Sequence, residues 1–212
     1  MAALDSHEQE QLEALKAWWH DNRAQLIAMC LIAVAVIGGW RGWQYYQHKQ
    51  GSEAATLYQQ LLNQTESNDA KRVNDAAAVL MDKYASSAYA PRAALLAAQV
   101  NEKIKDVARA RTQLQWAIDH ADDSELKSVA SLRLAAILLD EKNLEGALKL
   151  LEAAHPPSFD GLYADLRGDV LSAQGKADEA RSAYKLAYEK FDDSSTYRSL
   201  IQMKLDALGT VK

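Results

Sequence analysis

Apolar and polar positions follow two different patterns along this chain. From Ala24 to Trp40 the sequence AQLIAMCLIAVAVIGGW holds seventeen residues without a charge. From Gly51 onward apolar residues instead recur every three or four positions between charged ones, which is the period of amphipathic helices. At the helical rise per residue the uncharged run from Ala24 to Gly39 covers about 24 Å, and Trp18 to Trp43 covers about 37 Å. Trp18 and Trp19 precede the run, and Trp40, Trp43, Tyr45 and Tyr46 follow it. Indole and phenol rings favour the headgroup zone because an apolar body and a polar tip are both satisfied there. Arg23 and Arg41 bracket the run and can reach outward along their stems. The pattern predicts a transmembrane anchor over residues 24–45, with Ala24, Leu26, Ile27, Leu31, Ile32, Val36 and Trp40 in the span.

A buried core helix or a cleaved signal peptide would share part of this signature. The flanking aromatic belts favour a span over a core helix. A signal peptide would want a basic start and small residues at a cleavage site, whereas Glu8, Glu10, Glu13 and Asp21 precede the run and Gly38-Gly39-Trp40-Arg41 ends it. Residues 1–23 read as a polar tail in which Leu12, Leu15 and Trp19 allow a short amphipathic helix or a helical extension of the anchor. Orientation stays open, because Lys16 and Arg23 on one side balance Arg41 and Lys49 on the other.

The helices after Gly51 repeat. Gly175 to Ala187 carries small residues seven apart on one face, Ala180 and Ala187, and the same pattern recurs with Ala110 and Ala117 and with Ala147 and Ala154. Twelve residues before Ala110, Ala147 and Ala180 stand Ala98, Ala135 and Gly168. Small side chains at matched places in two helices let the helices cross closely. A pair of helices per ~34 residues with such crossings is the tetratricopeptide pattern. A fainter first copy places Ala76 and Leu80 on the second helix and Gln64 at the small position of the first. The expected fold is all-α, a single transmembrane helix followed by a tetratricopeptide-repeat-like α-solenoid over residues 46–212. Tyr197, Leu200, Ile201, Leu205 and Leu208 would form a last helix covering the core, started by the cap-rich Asp192–Thr196.

Composition narrows the function. Three prolines and nine glycines in 212 residues fit helices better than sheets. The net charge of −5 argues against a nucleic-acid binder. Cys30 is the sole cysteine and lies within the span, so no intramolecular disulfide forms. The five histidines lack metal-ligand spacing, and no phosphate loop or nucleophile elbow occurs. No catalytic residue, cofactor or metal is expected, and a membrane-bound hydrolase is a remote option. The remaining capacity is binding. In such repeats the first helices line a groove, which assigns Val129, Leu132, Ala136, Leu139 and Leu162 as its apolar positions, with Arg92, Leu95, Gln99, Glu102, Asp165, Asp169 and Ser172 around them. The bland alternative is burial of these residues by neighbouring repeats. Arg167 stands where an apolar residue is usual, and either pairs with Asp165 or Asp169 or faces a partner.

The order of tail, span ending in Gly39-Trp40-Arg41, and repeats including Ala164–Asp169, Gly175–Tyr184 and Gln202–Leu205 resembles the YfgM family over essentially the whole chain. That resemblance implies an ancillary subunit of the SecYEG translocon in the inner membrane of a Gram-negative bacterium. It further implies a cytoplasmic N-terminus, a periplasmic repeat domain, a PpiD-like periplasmic chaperone as partner, and unfolded proteins as clients. An envelope-assembly adaptor for a cell-wall or outer-membrane machine is the competing expectation, since the repeat fold hosts many partners.

Overall fold

The computed structural model describes residues 6–66, 69–192 and 195–209, so Asp193 and Ser194 of the expected cap segment lie outside the described residues. Helices α1 (Ser6–Glu66), α2 (Ala70–Lys83), α3 (Tyr89–Lys103), α4 (Val107–His120), α5 (Ser124–Asp140), α6 (Leu144–Leu151), α7 (Asp160–Ala173), α8 (Ala177–Lys190) and α9 (Thr196–Ala207) follow in order, with a short 3₁₀ turn at Pro157–Phe159. No strand occurs among the described residues. The chain divides into two compact units, Met1–Lys49 and Gln50–Lys212.

In the first unit the helix begins at Ser6, so the described part of the tail is a helical extension of the apolar run. Ile27, Leu31, Ile32, Val36 and Trp40 are all exposed. Burial in water-soluble protein therefore does not account for the apolar run. Among the described residues one helix, α1, is long and apolar enough to cross a membrane.

In the second unit the turns from α3 to α4, from α5 to α6 and from α7 to α8 are built the same way. Lys105, Lys142 and Gly175 adopt left-handed backbone angles, φ 63°, 63° and 76°. Each is followed by the residue that caps the next helix, Asp106, Asn143 or Lys176. The backbone N–H of that cap residue reaches back to Asn101, Leu138 or Leu171 at 2.8–3.0 Å, satisfying a carbonyl that the ending helix leaves open. Asp69, Asp106 and Asn143 accept the N–H of Arg72, Arg109 and Gly146 at 3.1–3.2 Å, side-chain caps worth about 1 kcal/mol each.

This register corrects the first repeat. Val73, Ala110, Ala147 and Ala180 each lie four residues after a helix cap, and all four are buried. Leu61, Ala98, Ala135 and Gly168 lie twelve residues earlier and are likewise buried. The first pair therefore crosses at Leu61 and Val73, not at Gln64 and Ala76, which are half-buried. Leucine and valine at this crossing replace the small residues that mark the other three. Ala54 and Leu61 join Val73, Ala77, Leu80, Ala90, Ala93 and Ala97 in one cluster. A second cluster spans α3 to α7, and a third joins α7, α8 and α9.

Two further expectations fail locally. Ala154 is exposed because α6 has only eight residues and stops at Leu151. Pro156 and Pro157 lack backbone donors, and a proline biases the residue before it away from helix, so the second helix of this pair cannot run to full length. In α9, Ile201 is buried and Leu205 and Leu208 pack on the third cluster. Tyr197 and Leu200 remain exposed together with Met203, so α9 covers the core with one face and leaves an apolar stripe on the other.

Candidate partner-binding surface

The first helices of successive pairs, α3, α5 and α7, touch one another in sequence. Val129, Leu132, Ala136 and Leu139 on α5 and Leu162 on α7 are all half-buried. Leu132 and Leu139 also pack on the second core cluster, so part of their apolar surface already serves the fold. At the α3 edge Arg92 pairs with Asp123 at 3.4 Å. At the α7 edge Asp165 and Asp169 both hold the Lys204 ammonium of α9 at 2.8 Å.

That last contact corrects the reading of Arg167. Its sequence neighbours Asp165 and Asp169 point to Lys204, and Arg167 itself is exposed. Tyr184 completes the cluster by donating its hydroxyl to Asp169 at 2.8 Å. The Lys204 ammonium lies 5.5 Å from the Tyr184 ring centre. Burial pushes the Tyr184 phenol up, and the neighbouring carboxylates push it further. Burial also raises the Asp165 carboxyl, outweighing Lys204. Burial would lower Lys204, but its bonds to both carboxylates raise it overall. These groups therefore act as a structural clamp joining α7, α8 and α9.

Gly168 makes the clamp possible. A Cβ there would stand 2.4 Å from the Tyr184 ring, so the bare backbone of α7 provides the seat for that ring. At the opposite end of the repeats lies a second polar cluster, in which Asn101 and Gln113 are buried and Asn74 is half-buried. Asn101, 0% exposed, donates to Asn74 at 2.8 Å and to Gln113 at 2.7 Å. Gln113 donates to Asn74 at 2.8 Å, which closes the triangle across α2, α3 and α4. Gly175 forms the left-handed turn before α8. The anchor positions lie apart from the repeats in sequence, whereas the crossing residue Ala135 and the half-buried face share α5; among the described residues no group of three metal-ligating side chains forms.

The sequence reading did not find an opening beside the end of α6, lined by Leu151, Arg167, Ala183 and Leu186 among others. Its only sequence signals were the diproline that shortens α6 and the odd arginine.

Helix pairs crossing at matched small residues, closed by a final helix, define a tetratricopeptide-like repeat protein. A family model described as a tetratricopeptide repeat-like domain matches residues 16–210. Several proteins named ancillary SecYEG translocon subunit are similar along nearly their whole length. The one from Neisseria gonorrhoeae is 30% identical over 210 residues, covering 97% of this chain and 99% of its own. That of Escherichia coli is 30% identical over 203 residues, covering 96% and 97%. The Haemophilus influenzae protein is 29% identical over 207 residues. The chain belongs to this family of ancillary SecYEG translocon subunits.

Proposed function

We propose that the chain is a membrane-anchored, non-enzymatic scaffold at the SecYEG translocon, which passes emerging proteins to periplasmic chaperones. The observation that carries this reading is full-length similarity to named translocon subunits, spanning both the apolar helix and the repeats. In this reading α1 holds the chain in the inner membrane through Ala24–Trp40, with the N-terminus in the cytoplasm and the repeats in the periplasm. The α5 face of Val129, Leu132, Ala136 and Leu139, with Leu162 beside it, binds a PpiD-like periplasmic chaperone or an unfolded client. Half-buried apolar positions between two charged edges suit a partner with an apolar centre and a polar rim. Anchoring raises the local concentration of a partner that binds weakly in solution.

Site-specific photocrosslinking in intact cells tests this. Probes at Val36 should reach translocon subunits, and probes at Leu132 should reach a chaperone or client. Lys149, exposed on α6, is the control. Crosslinks confined to cell-wall or outer-membrane machinery would replace this reading with the envelope adaptor. Equal labelling from Lys149 would show that the α5 face is not the binding surface.

A further inference from the structure

Arg167 occupies the repeat position held by Ala97 in α3 and Leu134 in α5, one residue before each crossing residue. Ala97 and Leu134 are 0% and 4% exposed, whereas Arg167 faces solvent. The cause is the helix that precedes each of them. Leu134 is buried in the cluster that contains Leu114 and Ala117 of α4, a helix of fourteen residues. Before α7 the corresponding helix, α6, has eight. The missing six residues amount to about 9 Å of helix. A cleft of about 570 Å³ opens at that end of α6, floored by Leu151, Ala164, Leu171, Ala183 and Leu186. Leu186, 46% exposed, belongs to the position at which Trp116 of α4 is packed against two core clusters.

The charges in this cleft are unevenly satisfied. Asp160 at its rim is held by Lys190 at 2.6 Å and by His155 at 3.4 Å, and the Lys190 contact holds its carboxyl below the ordinary range. Asp165 and Asp169 are held by Lys204. Glu179 lies in the first turn of α8, where the helix dipole favours a carboxylate. Among the described residues, no carboxylate pairs with the guanidinium of Arg167. It sits beside an apolar floor at a place the other repeats fill with core.

We propose that the cleft is a docking site for a short apolar segment of a partner protein that carries an Asp or Glu. The segment, about two helical turns long, supplies the turns that α6 lacks and sets its carboxylate against Arg167. An arginine fork matches a carboxylate with two parallel hydrogen bonds. The apolar floor and the chain's net charge of −5 favour a protein segment over a polyanion. This surface is separate from the α5 face, and its occupation does not depend on the translocon reading.

The test uses the full chain in its own membrane, with a photoreactive residue in place of Leu186 and the crosslinked peptide mapped by mass spectrometry. The expected result is one short apolar segment containing Asp or Glu. Arg167→Glu and Arg167→Gln should each cut that crosslink by about tenfold or more, as loss of one member of an interfacial charge pair does. Reversing the mapped carboxylate to Lys should restore crosslinking to Arg167→Glu alone. Thermal unfolding of both variants should match the parent, because Arg167 has no ion-pair partner among the described residues. Crosslinks scattered over unrelated segments, a mapped segment from a second copy of this chain, a segment without an acidic residue, or undiminished crosslinking in Arg167→Glu would each overturn the proposal. A mapped segment from cell-wall or outer-membrane machinery would leave it standing while counting against the translocon reading, and a Leu132 crosslink to a chaperone or client without one at Leu186 would do the reverse.

Discussion

The junction around α4 and the junction around α6 use one register and reach opposite outcomes. Around α4, a fourteen-residue helix covers the flank of α5, so Leu134 is core and Trp116 is wedged between neighbouring clusters. Around α6, the helix ends after eight residues, and Arg167, the α7 position equivalent to Leu134, stays open, as does Leu186 on α8. The polar clusters differ in the same sense. Asn74, Asn101 and Gln113 form a neutral amide triangle around the fully buried Asn101, whereas Asp165, Asp169, Tyr184 and Lys204 form a charged clamp. One repeat position is thus core or surface according to the length of the helix that precedes it.

The largest effect should come from exchanging the two residues that express this contrast. Leu134→Arg buries an unpaired charge and removes a core side chain, a combination expected to cost about 4 kcal/mol or more. Arg167→Leu should change stability by no more than about 0.5 kcal/mol. Urea melts of the full chain in detergent measure both, and similar values for the two would break the comparison. Next in size, Gly168→Ala forces a Cβ into the Tyr184 ring and should cost about 1–3 kcal/mol as overpacking. Ala135→Gly, at the equivalent crossing, should cost less, about 0.5–1 kcal/mol. The same melts rank the pair.

Removing one corner of the amide triangle with Asn101→Ala leaves buried partners unsatisfied, at about 1–3 kcal/mol. The charged clamp should instead respond to pH. The folded-state pKa of Lys204 is raised above its ordinary 10.5, so its contribution is complete below that value and is lost as pH rises through the higher folded value. Urea melts between pH 9 and pH 12 should show this loss in the parent and not in Lys204→Met. Equal alkaline loss in both would remove Lys204 from the account. The smallest effect belongs to the turns. Lys105→Gly and Lys142→Gly relieve left-handed strain at φ 63° and should each stabilise by a few tenths of a kcal/mol to about 1, the relief partly offset by greater chain entropy when unfolded. Gly175→Ala should act in the opposite direction.

Much of this organisation is visible in residue order. The uncharged Ala24–Trp40 run and its aromatic flanks mark a helix able to cross a membrane, because length and the absence of charge are sequence properties. Ala98 with Ala110, Ala135 with Ala147, and Gly168 with Ala180 mark three helix pairs, because a close crossing requires small residues at a fixed spacing. Less was visible where partners are distant in the chain. Leu61 and Val73 are not small, so the first crossing was assigned three residues late. Arg167 lies beside Asp165 and Asp169 in the sequence, but residues two apart on a helix do not face one another. The acid pair belongs to Lys204, more than thirty positions away.

The sequence by itself determined the helices, their pairing and the membrane-length apolar stretch, since these depend on local period, composition and turn chemistry. Only the tertiary structure decided which position of a repeated pattern is core and which is surface. That depends on whether another helix lies alongside, and α6 ends at Leu151 before it can cover its neighbour, with Pro156 and Pro157 barring a full-length helix. The cleft beside Arg167 is therefore a property of what packs against α7, although every residue lining it is present in the sequence.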